Sequence, residues 1–226
     1  MADSKRSGPT QVYLELGSKK VFACALDWPG WCRSGKNEEA ALEALAAYAD
    51  RYAEVAKEAR IDFPAGAGER LKVVERLPGS GKTDFGLPGE LATDDAKRTT
   101  RAQAERLAAL VAAAWVVFDR VRAAAPAELR KGPRGGGRDR DKMVDHVLGA
   151  EAAYARQLGI KLPQPAIDDQ AAIAALREAI LAVLREPSDG SPPKPKGWPP
   201  RYAARRIAWH VLDHAWEMQD RAEPAG

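Results

Sequence analysis

The chain has 226 residues, 45% of them hydrophobic, which is long enough for two small domains or for one with a substantial core. Its 35 Lys and Arg against 32 Asp and Glu leave a net charge of +3, too balanced to commit the surface to nucleic acid. No apolar run nears the roughly 18 residues that would span a membrane, and the polar start MADSKRSGPT has no apolar stretch of a secretory signal behind it, so a cytoplasmic protein is expected.

Residues 11 to 17, QVYLELG, alternate apolar and polar before a Gly-Ser turn, as a half-buried strand does. A second strand is expected from Lys20 to Asp27, ending at Pro29-Gly30, and WCRSG supplies a third. Asn37 is a candidate N-cap with Glu38 and Glu39 in the first turn, and Leu42, Leu45, Tyr48, Tyr52 and Val55 predict one continuous amphipathic helix of about five turns. RLKVVERL, residues 70 to 77, adds a fourth strand. Residues 1 to 78 thus form a β-β-β-α-β unit, and the Gly/Pro-rich stretch 79 to 91 is expected to be a linker to a separate folding unit.

From residue 92 onward the pattern is helical throughout. Four amphipathic helices are predicted, over about Thr93 to Ala124, Asp139 to Leu158, Ile167 to Arg185, and Pro199-Pro200 to Arg221. Gly159 is placed to end the second, and PSDGSPPKPKGWPP connects the third to the fourth. Four such helices bury their stripes best as a bundle, which makes the fold class α+β.

The chain has three histidines. His210 and His214, in WHVLDHAW, are four residues apart on the fourth helix, so both imidazoles share one face with Cβ atoms about 6 Å apart, close enough to meet one metal ion. His146, near the start of the second helix, is placed where a bundle can bring it opposite the pair. The bland alternative is three ordinary histidines at chance spacing. Arg206 and Glu217, each about one turn from the pair, are candidates to orient a ligand or touch a bound anion, against a plain role as salt-bridged neighbours.

Other motifs carry less. PGSGKT, residues 78 to 83, lacks the glycine that a phosphate-binding loop needs where Arg76 stands, and is assigned to the linker. The basic loop 131 to 140 could grip an anion but is more ordinarily a solvated connection. Cys24 and Cys32, without CxxC spacing, are expected to be free structural thiols.

KMVDHVLGAEAAYARQLG and IAWHVLDHAWEMQDR, with the order of four helices and the long connection before the last, resemble the DinB-like four-helix proteins over about residues 92 to 222. The resemblance implies that His146, His210 and His214 bind a divalent ion, with zinc, nickel and iron not distinguished by three imidazoles. It also implies a metal-dependent transferase that activates a low-molecular-weight thiol, mycothiol or bacillithiol, for attack on an electrophile; the Ala, Arg, Gly and Pro bias, typical of a GC-rich bacterial genome, favours mycothiol. A metal-hydroxide hydrolase and a non-enzymatic metal-binding or interaction protein are the alternatives. VFACALDWPGWCRSGKNEEAALEAL is similar to the HicB-like antitoxin fold, which implies a module that recruits a protein partner. No nucleic-acid-binding segment accompanies it.

Overall fold

A computed structural model describes residues 8–132 and 136–222. Most of the polar N-terminal stretch and the centre of the basic loop, Pro133 to Gly135, lie outside the described residues. The architecture is mixed α+β, a four-stranded sheet followed by helices.

Strands β1 (Thr10–Leu16), β2 (Val21–Ala25) and β3 (Cys32–Gly35) form an antiparallel meander. β4 (Leu71–Pro78) joins it beside β1 and parallel to it, so the sheet order is β3-β2-β1-β4. A parallel neighbour requires a crossover, and the helical segment between β3 and β4 provides it.

That segment is two helices rather than the single one expected: α1 (Glu38–Ala47) and α2 (Ala49–Glu58) meet at Tyr48, whose φ of −96° and ψ of 5° leave the helical basin. The Leu45 carbonyl, which a continuous helix would bond to the residue 49 amide, instead accepts a 2.8 Å hydrogen bond from the Trp31 indole. Asn37 caps α1 as its sequence indicates, its side chain accepting from the Ala40 amide at 2.9 Å. Trp31, fully buried, stacks on Tyr52, and the Tyr52 hydroxyl donates to the Pro29 carbonyl at 2.8 Å.

Within the stretch expected to be a plain linker, Gly81–Phe85 forms a short helix, α3. Ser80 and Thr83 make a reciprocal capping box at its start, the sequence feature that turns PGSGKT into a helix entry. Glu15 of β1, wholly buried, fastens this stretch: its carboxylate accepts from the Thr83 hydroxyl (2.5 Å) and from the Gly89 (3.1 Å) and Glu90 (3.0 Å) amides. Buried carboxylates need such partners, and three donors on one segment hold it against the sheet.

Four long helices follow: α4 (Arg101–Ala124), α5 (Arg140–Gln157), α6 (Gln170–Leu184) and α7 (Pro200–Ala222). α4 and α5 each pack against both α6 and α7. α4 begins later than the expected Thr93, because Thr93–Ala96 is a separate 3-10 turn and Thr100 with Gln103 caps the long helix. Gly159, at φ +88°, follows the end of α5 as expected. No helix among the described residues is long and apolar enough to cross a membrane.

α7 is the hub. From Tyr202 to Leu212 every residue is buried, because one side faces α4 and α5 and the other meets the sheet and its β2–β3 turn. Gly30 in that turn has φ +93°, and a Cβ there would stand 2.6 Å from a Leu212 methyl and 3.1 Å from Ala208. Only glycine allows both the conformation and the approach. One continuous core therefore runs from Val12 and Leu14 through Trp28 and Trp31 to Leu110, Met143 and Leu212.

Candidate metal centre

The three histidines expected to act together are brought together. His146 of α5 and His210 of α7 place their Nε2 atoms 3.2 Å apart, and one ligand atom from each of His146, His210 and His214 lies within 4.8 Å of the others. Ring centroids are separated by 4.7 to 5.1 Å in all three pairings. The helical period supplies the His210 and His214 pair; the packing of α5 on α7 supplies His146.

Electrostatics keep two of the three rings neutral. Burial, followed by the neighbouring His214, pulls His146 down to about 4, and the same two causes hold His210, 5% exposed, well below the ordinary imidazole value. Neutral rings are what coordination requires, since the nitrogen lone pair must be free. His214 Nδ1 lies 3.0 Å from Glu217 Oε2 and donates to it, which leaves Nε2 of His214 with its lone pair. The hydrogen bond from His214, aided by Arg221 3.0 Å from the other carboxylate oxygen, lowers the Glu217 carboxyl below the usual carboxylate range.

The donor set fits a divalent transition ion: three convergent nitrogens, one already backed by a carboxylate, with room left in the coordination sphere. Among the described residues the buried His210 Nδ1 has no hydrogen-bond partner, and Nε2 is the atom that faces His146 Nε2.

The two neighbours singled out on α7 separate in role. Glu217 touches a cluster histidine directly. Arg206 does not; its guanidinium lies 4.5 Å from the Trp209 ring centroid and 5.5 Å from that of Tyr154, and donates to the Pro88 carbonyl at 3.4 Å. It fixes the aromatic wall beside His210 instead. Tyr154 belongs to that wall, its ring centroid 5.7 Å from the His210 ring. Its position eight residues after His146 on one helix was the available signal. Arg138, from the basic loop, is also near enough to disfavour protonation of His146 and His210; no spacing rule ties that loop residue to the histidines. Beyond Glu217, a surface pocket of about 310 Å³ is lined by charged groups, Arg33, Asp213, Asp220 and Arg221 among them.

No family model, curated protein or solved structure matches the chain. The geometry of the histidine cluster therefore carries the functional argument by itself.

Proposed function

We propose that His146, His210 and His214 bind one divalent metal ion and that the protein is a metal-dependent transferase of DinB-like type, which activates a low-molecular-weight thiol for attack on an electrophile. The convergence of three imidazoles from two helices carries the proposal. A divalent ion held there would supply Lewis acidity, the means of ionising a thiol that is only a few per cent thiolate in free solution at pH 7.

The chain's own residues set the geometry. Glu217 orients His214, Tyr154 and Trp209 wall off His210, and Arg206 pins that wall to the Pro88 carbonyl. The charged pocket next to Glu217 suits a small polar thiol of the mycothiol or bacillithiol kind. The N-terminal sheet unit, HicB-like in the proposal, covers α7 from the other side and is the part available to recruit a protein partner.

Elemental analysis and calorimetry should give about one divalent ion per chain, with zinc, nickel and iron(II) compared. Metal-loaded protein should consume thiol and electrophile together, and His210→Ala should abolish this while keeping its helical circular dichroism. Turnover without thiol would point to hydrolysis, and tight metal binding without turnover over a broad electrophile panel would point to a non-enzymatic protein. Failure to take up any of the metals would remove the proposal.

A further inference from the structure

The sheet face turned away from α1 and α2 holds a second group of reactive side chains. Tyr13, Phe22, Cys24, Leu26 and Cys32 form a small buried cluster there, closed by Trp209 of α7. Cys24 stands directly opposite Cys32 in the β2–β3 ladder. The Ala25 amide donates to the Trp31 carbonyl at 2.9 Å, so the adjacent Cys24 and Cys32 pair is a non-hydrogen-bonded one. In such pairs the Cα atoms are about 4.5 Å apart and the side chains approach most closely. That separation lies inside the window of about 4.4 to 6.8 Å that a disulfide spans. The two Sγ atoms are 2.7 Å apart, and both thiols are free.

Beside them is a cavity of about 20 Å³, lined by both cysteines with Tyr13, Arg205, Arg206 and Trp209. One water-sized molecule needs about 10 to 15 Å³ of such space, so the cavity admits a molecule of one or two heavy atoms. Its wall carries unmatched donors. Arg205, 6% exposed, donates from Nη2 to Asp95 at 2.5 Å, while among the described residues its Nε and Nη1 have no hydrogen-bond partner, and neither has Trp209 Nε1. Buried donors of this kind call for an acceptor.

We infer that this cavity is a hydrogen-peroxide-reactive dithiol site, in which Cys24 and Cys32 close to a cross-strand disulfide within one chain. One cysteine attacks as thiolate on a peroxide oxygen; a sulfur–oxygen bond forms, the oxygen–oxygen bond breaks, and the departing hydroxide takes up the thiol's proton and leaves as water. The second sulfur then attacks the sulfenic sulfur, the sulfur–oxygen bond breaks, and the remaining thiol proton leaves with that oxygen as a second water. Two thiols together lose two electrons and one peroxide gains them. The unmatched Arg205 and Trp209 N–H groups supply donors to a thiolate and to the departing oxygen. Burial, and then the adjacent Cys24, push the Cys32 thiol well up, so closure should accelerate as the pH rises. The cavity's size selects peroxide over a bulky disulfide oxidant.

The test uses the full chain, reduced and then freed of reductant, with a chelator present so that no metal contributes oxidation chemistry. After hydrogen peroxide treatment, the tryptic peptide 21–33, which holds both cysteines, should lose two hydrogens in mass and resist alkylation until reduced. Cys24→Ser and Cys32→Ser, checked for fold by circular dichroism, should each stop at a sulfenic acid trapped by a dione reagent. Oxidised glutathione at equal concentration should close the pair at least about tenfold more slowly. Two alkylatable thiols after peroxide exposure, disulfides between chains only, or equal rates with glutathione disulfide would each overturn the inference.

Discussion

His214 Nδ1 and Glu217 Oε2 are 3.0 Å apart, three residues along one helix, and the bond between them decides which nitrogen of His214 is left to coordinate. Glu217→Gln retains the side chain's shape but weakens the acceptor, and Glu217→Ala removes it. Loss of such a partner generally lowers metal affinity by about 10- to 100-fold. Calorimetric titration with zinc should show the larger loss for the alanine variant, at unchanged helix content.

The metal-free protein should lose stability as pH falls. His146 has its folded value lowered to about 4 against an ordinary 6.5, and burial holds His210 well below that ordinary value too. Between those values the unfolded chain binds more protons than the folded one, so stability is present above about pH 6.5 and declines toward pH 4. Arg138 opposes protonation of both rings and Arg206 that of His210, while Asp145 and Glu217 favour it at His146. Urea midpoints measured across this range should fall with acid, and His146→Gln should flatten the profile.

Glu15→Ala should loosen the segment that joins the sheet to the long helices. It leaves the Thr83 hydroxyl and two amides without their acceptor. Each buried group left unpaired costs about 1 to 3 kcal/mol. The denaturation midpoint should drop, and limited proteolysis should cut first between residues 79 and 91.

Residues 92–226 expressed alone should be less stable than the whole chain, because they lose the contacts made by the β2–β3 turn and by α2. Gly30 seats that turn on Leu212 and Ala208, the Arg106 guanidinium donates to the Asp27 carbonyl at 2.7 Å, and Arg33 pairs with Asp213 at 2.9 Å. Thermal melts should show a lower midpoint for the fragment. An unchanged midpoint would mean that the two parts are energetically independent.

Trp31→Phe should destabilise the α1–α2 corner. The Leu45 carbonyl would keep the Tyr48 amide but lose the indole donor, a net cost of about 0.5 to 1.5 kcal/mol, read from chemical denaturation.

Local features follow directly from residue order. The Asn37 cap, the start of α7 at Pro200 and the shared face of His210 and His214 depend on helix period and backbone chemistry within a few residues, so they are legible in the sequence. The break at Tyr48 is not, because its cause, the Trp31 indole on the Leu45 carbonyl, arrives from the connection between β2 and β3. In the same way, α-helical spacing supplies two of the three clustered imidazoles, while His146 reaches them only through the packing of α5 on α7. Spacing in the chain argues against a redox pair at Cys24 and Cys32, yet strand register sets them face to face. Sequence determines which side chains share an element's face; which faces meet is decided by how the elements bury their apolar surface against one another.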